Sequence, residues 1–140
     1  MDLDELERRG HIKRLPMDMK KVEDSLNLAK RDVNVAKGVL NENCDWAFSI
    51  AYNAMLQAVR ALMFSKGYRP TGSNQHIAVV RFAELFLRKD DAIILDRMRR
   101  KRHATIYDTA GTISEIEAEN IVMRAEKLVR EIVKMIEDVG

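Results

Sequence analysis

Residues 45–67, DWAFSIAYNAMLQAVRALMFSKG, constrain the fold more than any other stretch of this chain. Wound into a helix, they leave only a thin polar strip: Ser49, Asn53, Gln57 and Arg60. Nearly everything else is apolar or small. A helix that is apolar over most of its circumference has to be surrounded by other helices. Ala47, Ala51, Ala54, Ala58 and Ala61 let those neighbours approach closely. Asp45 is placed to cap the start of this helix, and Gly67 to stop it in the left-handed conformation.

The neighbours are legible in the same way. From Met19 to Asn41, Val22, Ala29 and Ala36 recur every seven residues, as do Leu26, Val33 and Leu40. That spacing gives one narrow apolar seam, with Asp18 as its N-cap. A second seam runs to Val139 through Ile121, Leu128 and Met135, interleaved with Ala125, Ile132 and Val139. Ser114 and Glu117 stand before it in capping-box spacing. Asn74 to Leu87 reads as a shorter helix with apolar Ile77, Val80, Leu85 and Phe86, and with His76 near its start as a capping or packing residue. Met1 to Arg9 is a short charged helix, residues 11–17 a connector, and YRPTGS at residues 68–73 a loop. Two prolines and six glycines in 140 residues leave few breaks. The expectation is an all-α fold, an antiparallel up-down helical bundle of four to five main helices plus a short N-terminal helix. One domain spans residues 1–140, with an arm over 1–17 and the bundle over 18–139.

The stretch from Leu95 to Asp108, LDRMRRKRHATIYD, carries the chemistry. At helical spacing Ile94, Leu95, Met98, Thr105 and Ile106 form an apolar stripe. Arg97, Arg100, Lys101 and Asp108 point the other way. Arg102 falls inside the apolar stripe, one turn from both Met98 and Ile106. Arg99, His103 and Tyr107 line one border of it. A guanidinium aimed at a core is costly unless it is paired and hydrogen-bonded. Either a carboxylate on a neighbouring helix (Asp45 is one candidate) meets Arg102, or it snorkels to water, or it lines a pocket at a helix or subunit seam.

Other classes fall away. The net charge of +2 does not by itself imply nucleic acid, so any such signal is local to this stretch. The single cysteine, Cys44, cannot form an internal disulfide and fits a reducing cytoplasm. No apolar run approaches the ~18 residues of a membrane span, and the acidic start is not a signal peptide. His11, His76 and His103 are scattered without metal-ligand spacing, so neither a metal nor a cofactor is expected.

Two segments, DWAFSIAYNAMLQAVRALMFSKGYRP and RRKRHATIYD, resemble the central helix and signature helix of the HEPN superfamily (higher eukaryotes and prokaryotes nucleotide-binding). The resemblance covers roughly Met19 to Val139. It implies a small helical domain, commonly a homodimer, among whose relatives are RNA-cleaving toxins and RNA-binding proteins. The family's catalytic motif is an arginine followed, four to six residues on, by a histidine. Two registers fit. In one, Arg102 is the motif arginine, His103 the polar residue after it, and Tyr107 occupies the histidine position. In the other, Arg97 pairs with His103. The inward direction of Arg102 favours the first, and with it a variant site of Arg102, His103 and Tyr107.

Relatives that cleave RNA do so without a metal, by attack of the 2′-hydroxyl on the adjacent phosphate. Histidine suits proton transfer near neutral pH, and the planar fork of arginine suits the charged phosphate. Tyrosine is a poor base but donates a hydrogen bond or stacks on a base. Arg97, Arg99, Arg100 and Lys101 are candidate nucleic-acid contacts, against a plain solvated helix face. Tyr52 and Asn53 are candidate supports, with Asn53 reaching toward the basic helix or serving interhelix packing. By resemblance the partners are RNA or nucleotide, a second copy of the chain, and a nucleotidyltransferase-like antitoxin. Three functions therefore stand side by side: a toxin-type endoribonuclease or RNA binder, a non-catalytic dimeric scaffold, and a plain helical interaction module.

Overall fold

Short polar breaks cut the described chain into six helices and two very short strands. They are α1 Leu3–Arg8, β1 Ile12–Arg14, α2 Met19–Val39, α3 Cys44–Ser65, β2 Tyr68–Pro70, α4 Gln75–Phe86, α5 Lys89–Tyr107 and α6 Glu115–Val139. The computed structural model describes residues 1–107 and 110–139, and the side chains of residues 104–107 and 139 lie outside that description. The fold is helical, as the apolar periodicities predict.

The middle of the bundle is α3. Tyr52, Phe48, Met55, Leu56, Leu62 and Met63 on it are all fully buried. Around them close Val22, Ala29, Val33 and Ala36 of α2, and Ala118, Val122, Ala125, Leu128, Val129 and Ile132 of α6. The two expected seams are broader than two rows. Ser25 and Asp32 are buried on α2 while Leu26 is only half-buried, and on α6 Ile121 and Met135 are half-buried beside fully enclosed Val122 and Val129. Because α6 packs against both α3 and α2, it needs a wider apolar face than a coiled-coil seam.

Ion pairs fix the helix directions. Lys37 near the end of α2 meets Glu126 within α6. Arg88 with Glu131, Asp91 with Arg124, and Lys101 with Glu117 descend α6 as they climb into α5. The three pairs between α5 and α6 make those two helices antiparallel.

Two start signals resolve differently from expectation. Asn43, not Asp45, caps α3: its Oδ1 accepts from Trp46 N at 3.0 Å. Asp45 sits in the first turn and reaches across to accept from Gly111 N at 2.6 Å and Ile113 N at 3.4 Å. It thereby ties the turn before α6 to the start of α3 and does not meet Arg102. Ser114 Oγ accepts from Glu117 N at 3.1 Å, but the Glu117 carboxylate turns away to Lys101 at 2.7 Å. Only half of the capping box forms.

The connector and the loop also contain more order than expected. Residues 12–14 pair antiparallel with residues 68–70, Ile12 opposite Pro70 and Arg14 opposite Tyr68. Thr71 N donates to His11 O and Leu15 N to Gly67 O, both at 2.9 Å, extending the ladder at each end. Leu6 and Ile12, both fully buried, join the same hydrophobic cluster as the bundle. Three-residue strands are too short to show alternation, so the pairing left no periodic signal.

Candidate anion pocket between the fourth and fifth helices

The basic half of α5 divides as its helical phase predicts. Ala92, Leu95 and Met98 are buried against the bundle, whereas Arg97 and Arg100 are exposed. Arg102 turns inward. Its Nε is buried and has no hydrogen-bond partner among the described residues. Its guanidinium carbon lies over the ring of Tyr52, 5.7 Å from the centroid, within range of a cation–π contact.

Tyr52 brings a third helix into the site. It is fully buried in the middle of α3, yet its hydroxyl is 3.2 Å from His76 Nδ1. The two rings lie 5.8 Å apart at 50°. Local chemistry places His76: Asn74 Oδ1 caps α4 by accepting from Ile77 N at 3.1 Å, which fixes His76 in the first turn. A cavity of about 420 Å³ opens there, lined by Asn74, His76, Arg99, Arg100, Arg102 and His103.

Charge in this cavity is only partly balanced. Asp96 serves two guanidiniums, Arg99 at 3.1 Å and Arg100 at 3.7 Å. Lys101 is spent on Glu117. Arg102 and the half-buried Arg60 have no carboxylate in ion-pair range among the described residues. Burial and the charges of Arg102, Arg60 and Arg99 hold His76 below its ordinary pKa of 6.5, so it is neutral at neutral pH. Burial raises Tyr52 well above the ordinary phenol value, against the opposing pull of Arg102, Arg99 and Arg60. Burial lowers Arg60.

These states assign the proton between the two rings. The enclosed phenol keeps its proton and needs an acceptor. Neutral His76 supplies one at Nδ1, so Tyr52 donates to it and the other ring nitrogen, Nε2, carries the imidazole hydrogen. His76 thus becomes a neutral N–H donor. Together with the guanidiniums it makes a cavity rich in donors and short of acceptors, fit for an oxyanion.

The structure sorts the sequence candidates. Arg99, Arg100, Arg102 and His103 line the cavity, and Tyr52 supports it. Arg97 and Lys101 do not line it. Asn53 points elsewhere: its Nδ2 donates to buried Asp32 on α2 at 2.8 Å, so it braces α3 against α2 rather than reaching the basic helix. Tyr107 ends α5, and its side chain lies outside the described residues. Among the described residues no cluster of His, Cys, Asp or Glu could hold a metal ion, and no helix is long and apolar enough to cross a membrane. Sequence reasoning missed His76 as a site residue. Only its placement two residues after the N-cap Asn74 hinted at direction, and nothing local linked it to Tyr52.

Fold and site together define a helical-bundle protein that turns arginines from one helix toward a histidine-bearing cleft. The HEPN domain profile matches residues 22–136, and the chain belongs to the HEPN family. Among solved structures it resembles TT1696 from Thermus thermophilus, with a TM-score of 0.63 at 19% identity, over 81% of this chain and 97% of that one. At that identity the likeness concerns the fold. No curated protein sequence matches the chain significantly.

Proposed function

We propose that this protein binds RNA or a nucleotide by its phosphate, in the cavity between α4 and α5. The observation that carries this function is Arg102. Its Nε is buried without a partner among the described residues, and Arg99 and Arg100 share the cavity with it. A buried donor without a partner is uncommon, and no carboxylate among the described residues is in ion-pair range of this guanidinium, so an anionic ligand is the simplest group to complete it. Family membership supplies the link to nucleotide and RNA chemistry. The test is fluorescence anisotropy with a labelled single-stranded RNA. Arg102→Gln keeps a polar chain beside Tyr52 but removes the charge, and should weaken binding about tenfold or more, the range of a charge-assisted phosphate contact. Arg97→Gln, outside the cavity, should change it less than about twofold. Equal losses for the two variants would argue for a diffuse basic face instead.

A second function, metal-independent RNA cleavage of the toxin type, is favoured by the presence of two imidazoles among the guanidiniums. The 2′-oxygen would bond to phosphorus while the bond to the 5′-oxygen breaks. His103 would take the 2′-proton, Arg102 would hold the phosphorane charge, and Tyr107 would donate the proton to the leaving oxygen. Purified protein with a chelator present should then leave ends bearing a 2′,3′-cyclic phosphate, and both Arg102→Gln and His103→Ala should abolish them. Cleavage that survives both changes would assign the activity to a contaminant. As part of the same proposal, the protein acts as a cytoplasmic homodimer with a nucleotidyltransferase-like antitoxin. Light scattering of the protein alone tests the first half of that assembly.

A further inference from the structure

We infer that the α4–α5 cavity selects a phosphomonoester dianion, the phosphate at the end of an RNA chain or on a free mononucleotide, over the internal diester of a chain. The buried Tyr52 hydroxyl acts there as a positioning group that aims the His76 N–H at the phosphate. This inference rests on the first proposed function, the phosphate site, adds its ligand class, and stands against internal cleavage there.

Charge is the first support. Three guanidiniums line the cavity, and among the described residues Asp96 is the one carboxylate that meets them, which leaves two positive charges uncompensated. Arg60 adds a further cation nearby, close enough to act on both Tyr52 and His76. A diester carries one negative charge, whereas a monoester near neutral pH carries almost two. The monoester therefore matches the cavity and the diester leaves it under-neutralised.

Donor count is the second support. Arg99, Arg100, Arg102, His76 and Asn74, all residues with N–H donors, line the cavity. A diester offers two unesterified oxygens to such a set, and a monoester offers three. The volume of about 420 Å³ also lies at the small-molecule end of ligand cavities, adequate for a phosphate with its sugar and base.

The Tyr52–His76 pair is the third support. A buried hydroxyl 3.2 Å from a histidine nitrogen fixes which ring nitrogen bears hydrogen. With Nδ1 engaged by the phenol, Nε2–H is the group left for a ligand. Arg102 rests on the face of the same phenol ring. One buried side chain thus orients both a guanidinium and an imidazole, and such double support is what a preorganised oxyanion site requires.

The experiment compares three otherwise identical short oligouridines ending in 5′-phosphate, 5′-methylphosphate or 5′-hydroxyl, with adenosine 5′-monophosphate as the free source. Affinities are measured by calorimetry on the full chain at constant ionic strength and pH 7.5. The 5′-phosphate should bind about tenfold more tightly than the methylphosphate, which adds one methyl group and has one charge and one unesterified oxygen fewer. A preference confined to the oligonucleotide marks the RNA end as the source, and equal affinity for adenosine 5′-monophosphate marks the free nucleotide. Equal binding of all three oligonucleotides overturns the monoester inference and leaves RNA binding intact. Binding of none of the four probes removes the phosphate site as well.

Two variants test the positioning role. Tyr52→Phe keeps the ring beneath Arg102, and His76→Gln keeps an N–H donor. In Tyr52→Phe the ratio of 5′-phosphate to methylphosphate affinity should fall severalfold, and the ¹⁵N shifts of His76 should show its proton spread over both ring nitrogens. His76→Ala should bring the ratio close to one, and His76→Gln should restore part of it. An unchanged ratio and a single unchanged tautomer in Tyr52→Phe would overturn the positioning role, because a purely structural phenol would move neither.

Discussion

At His76 one ring should report on stability as well as on the proposed binding. Its folded pKa lies below the 6.5 of an unfolded histidine, through burial and then through Arg102, Arg60 and Arg99. The unfolded chain therefore takes up the proton first as the solution is acidified. Stability contributed by neutral His76 is complete above about pH 6.5 and is lost as pH falls toward the lowered folded value, below which the loss levels off. The groups that share its surroundings are Tyr52 and Arg60 on α3 and Arg99, Arg100, Arg102 and His103 on α5. Urea denaturation of the wild type and of His76→Gln between pH 5 and 7.5 isolates the effect. The stability gap between the two should shift in favour of the variant as pH falls, and a pH-independent gap would contradict the assigned burial. Ser49 offers a simpler case. Its Oγ is buried with no partner among the described residues, so Ser49→Ala removes an unsatisfied group and should leave stability unchanged or raise it by up to about 1 kcal/mol, read from the urea midpoint. The inward course of Arg102 could be read from helical phase alone, because phase depends only on neighbours along one helix. The partnership of Tyr52 with His76 could not, because it joins two helices whose relative placement no local pattern encodes.

At the scale of elements, the short two-stranded ladder and the turn before α6 are the places where single backbone groups do the most. Gly72 has φ of +91°, and a Cβ there would come within 2.9 Å of Gly10 O. Gly72→Ala is strained by both conformation and space, and should destabilise the chain by about 1–3 kcal/mol. A thermal melt would show this directly, and an unchanged melt would mean that the β1–β2 ladder contributes little. Asp45 carries a comparable burden, because two backbone N–H groups across the bundle depend on its carboxylate. Asp45→Ala should cost about 1–3 kcal/mol in the same assay, more than removal of a lone exposed cap. Helix number and most boundaries were legible because seven-residue spacings and cap residues are local. The choice of Asn43 over Asp45 as cap was not, since either side chain could have met the first turn of α3. What decided it was the arrival of residues 111–113 beside Asp45, a contact between segments far apart in sequence.

For the whole molecule, the decisive property is how a small net charge is distributed. The chain carries only +2 overall. On α5, however, acids gather at the start and bases in the second half: Asp90 and Asp91 pair with Arg124 of α6, while Arg99, Arg100 and Arg102 face the cavity. The acidic start agrees with the helix dipole and fastens the front of α5 to α6, leaving the basic part for the proposed ligand. Long-range attraction by the total charge is therefore weak, and binding should come from a few local contacts. For single-stranded RNA each neutralised phosphate contributes about −0.7 to the slope of log K against log salt. One to two phosphates held by this cluster, the terminal monoester and its neighbour, give a slope of about −0.7 to −1.4. Arg102→Gln should make the slope shallower by about 0.7, and Arg97→Gln should leave it unchanged. Anisotropy titrations between about 50 and 300 mM salt measure it. A wild-type slope several times steeper would mean that RNA spreads over the outer face of α5. A slope near zero in the presence of tight binding would mean that stacking, rather than the guanidinium cluster, holds the ligand.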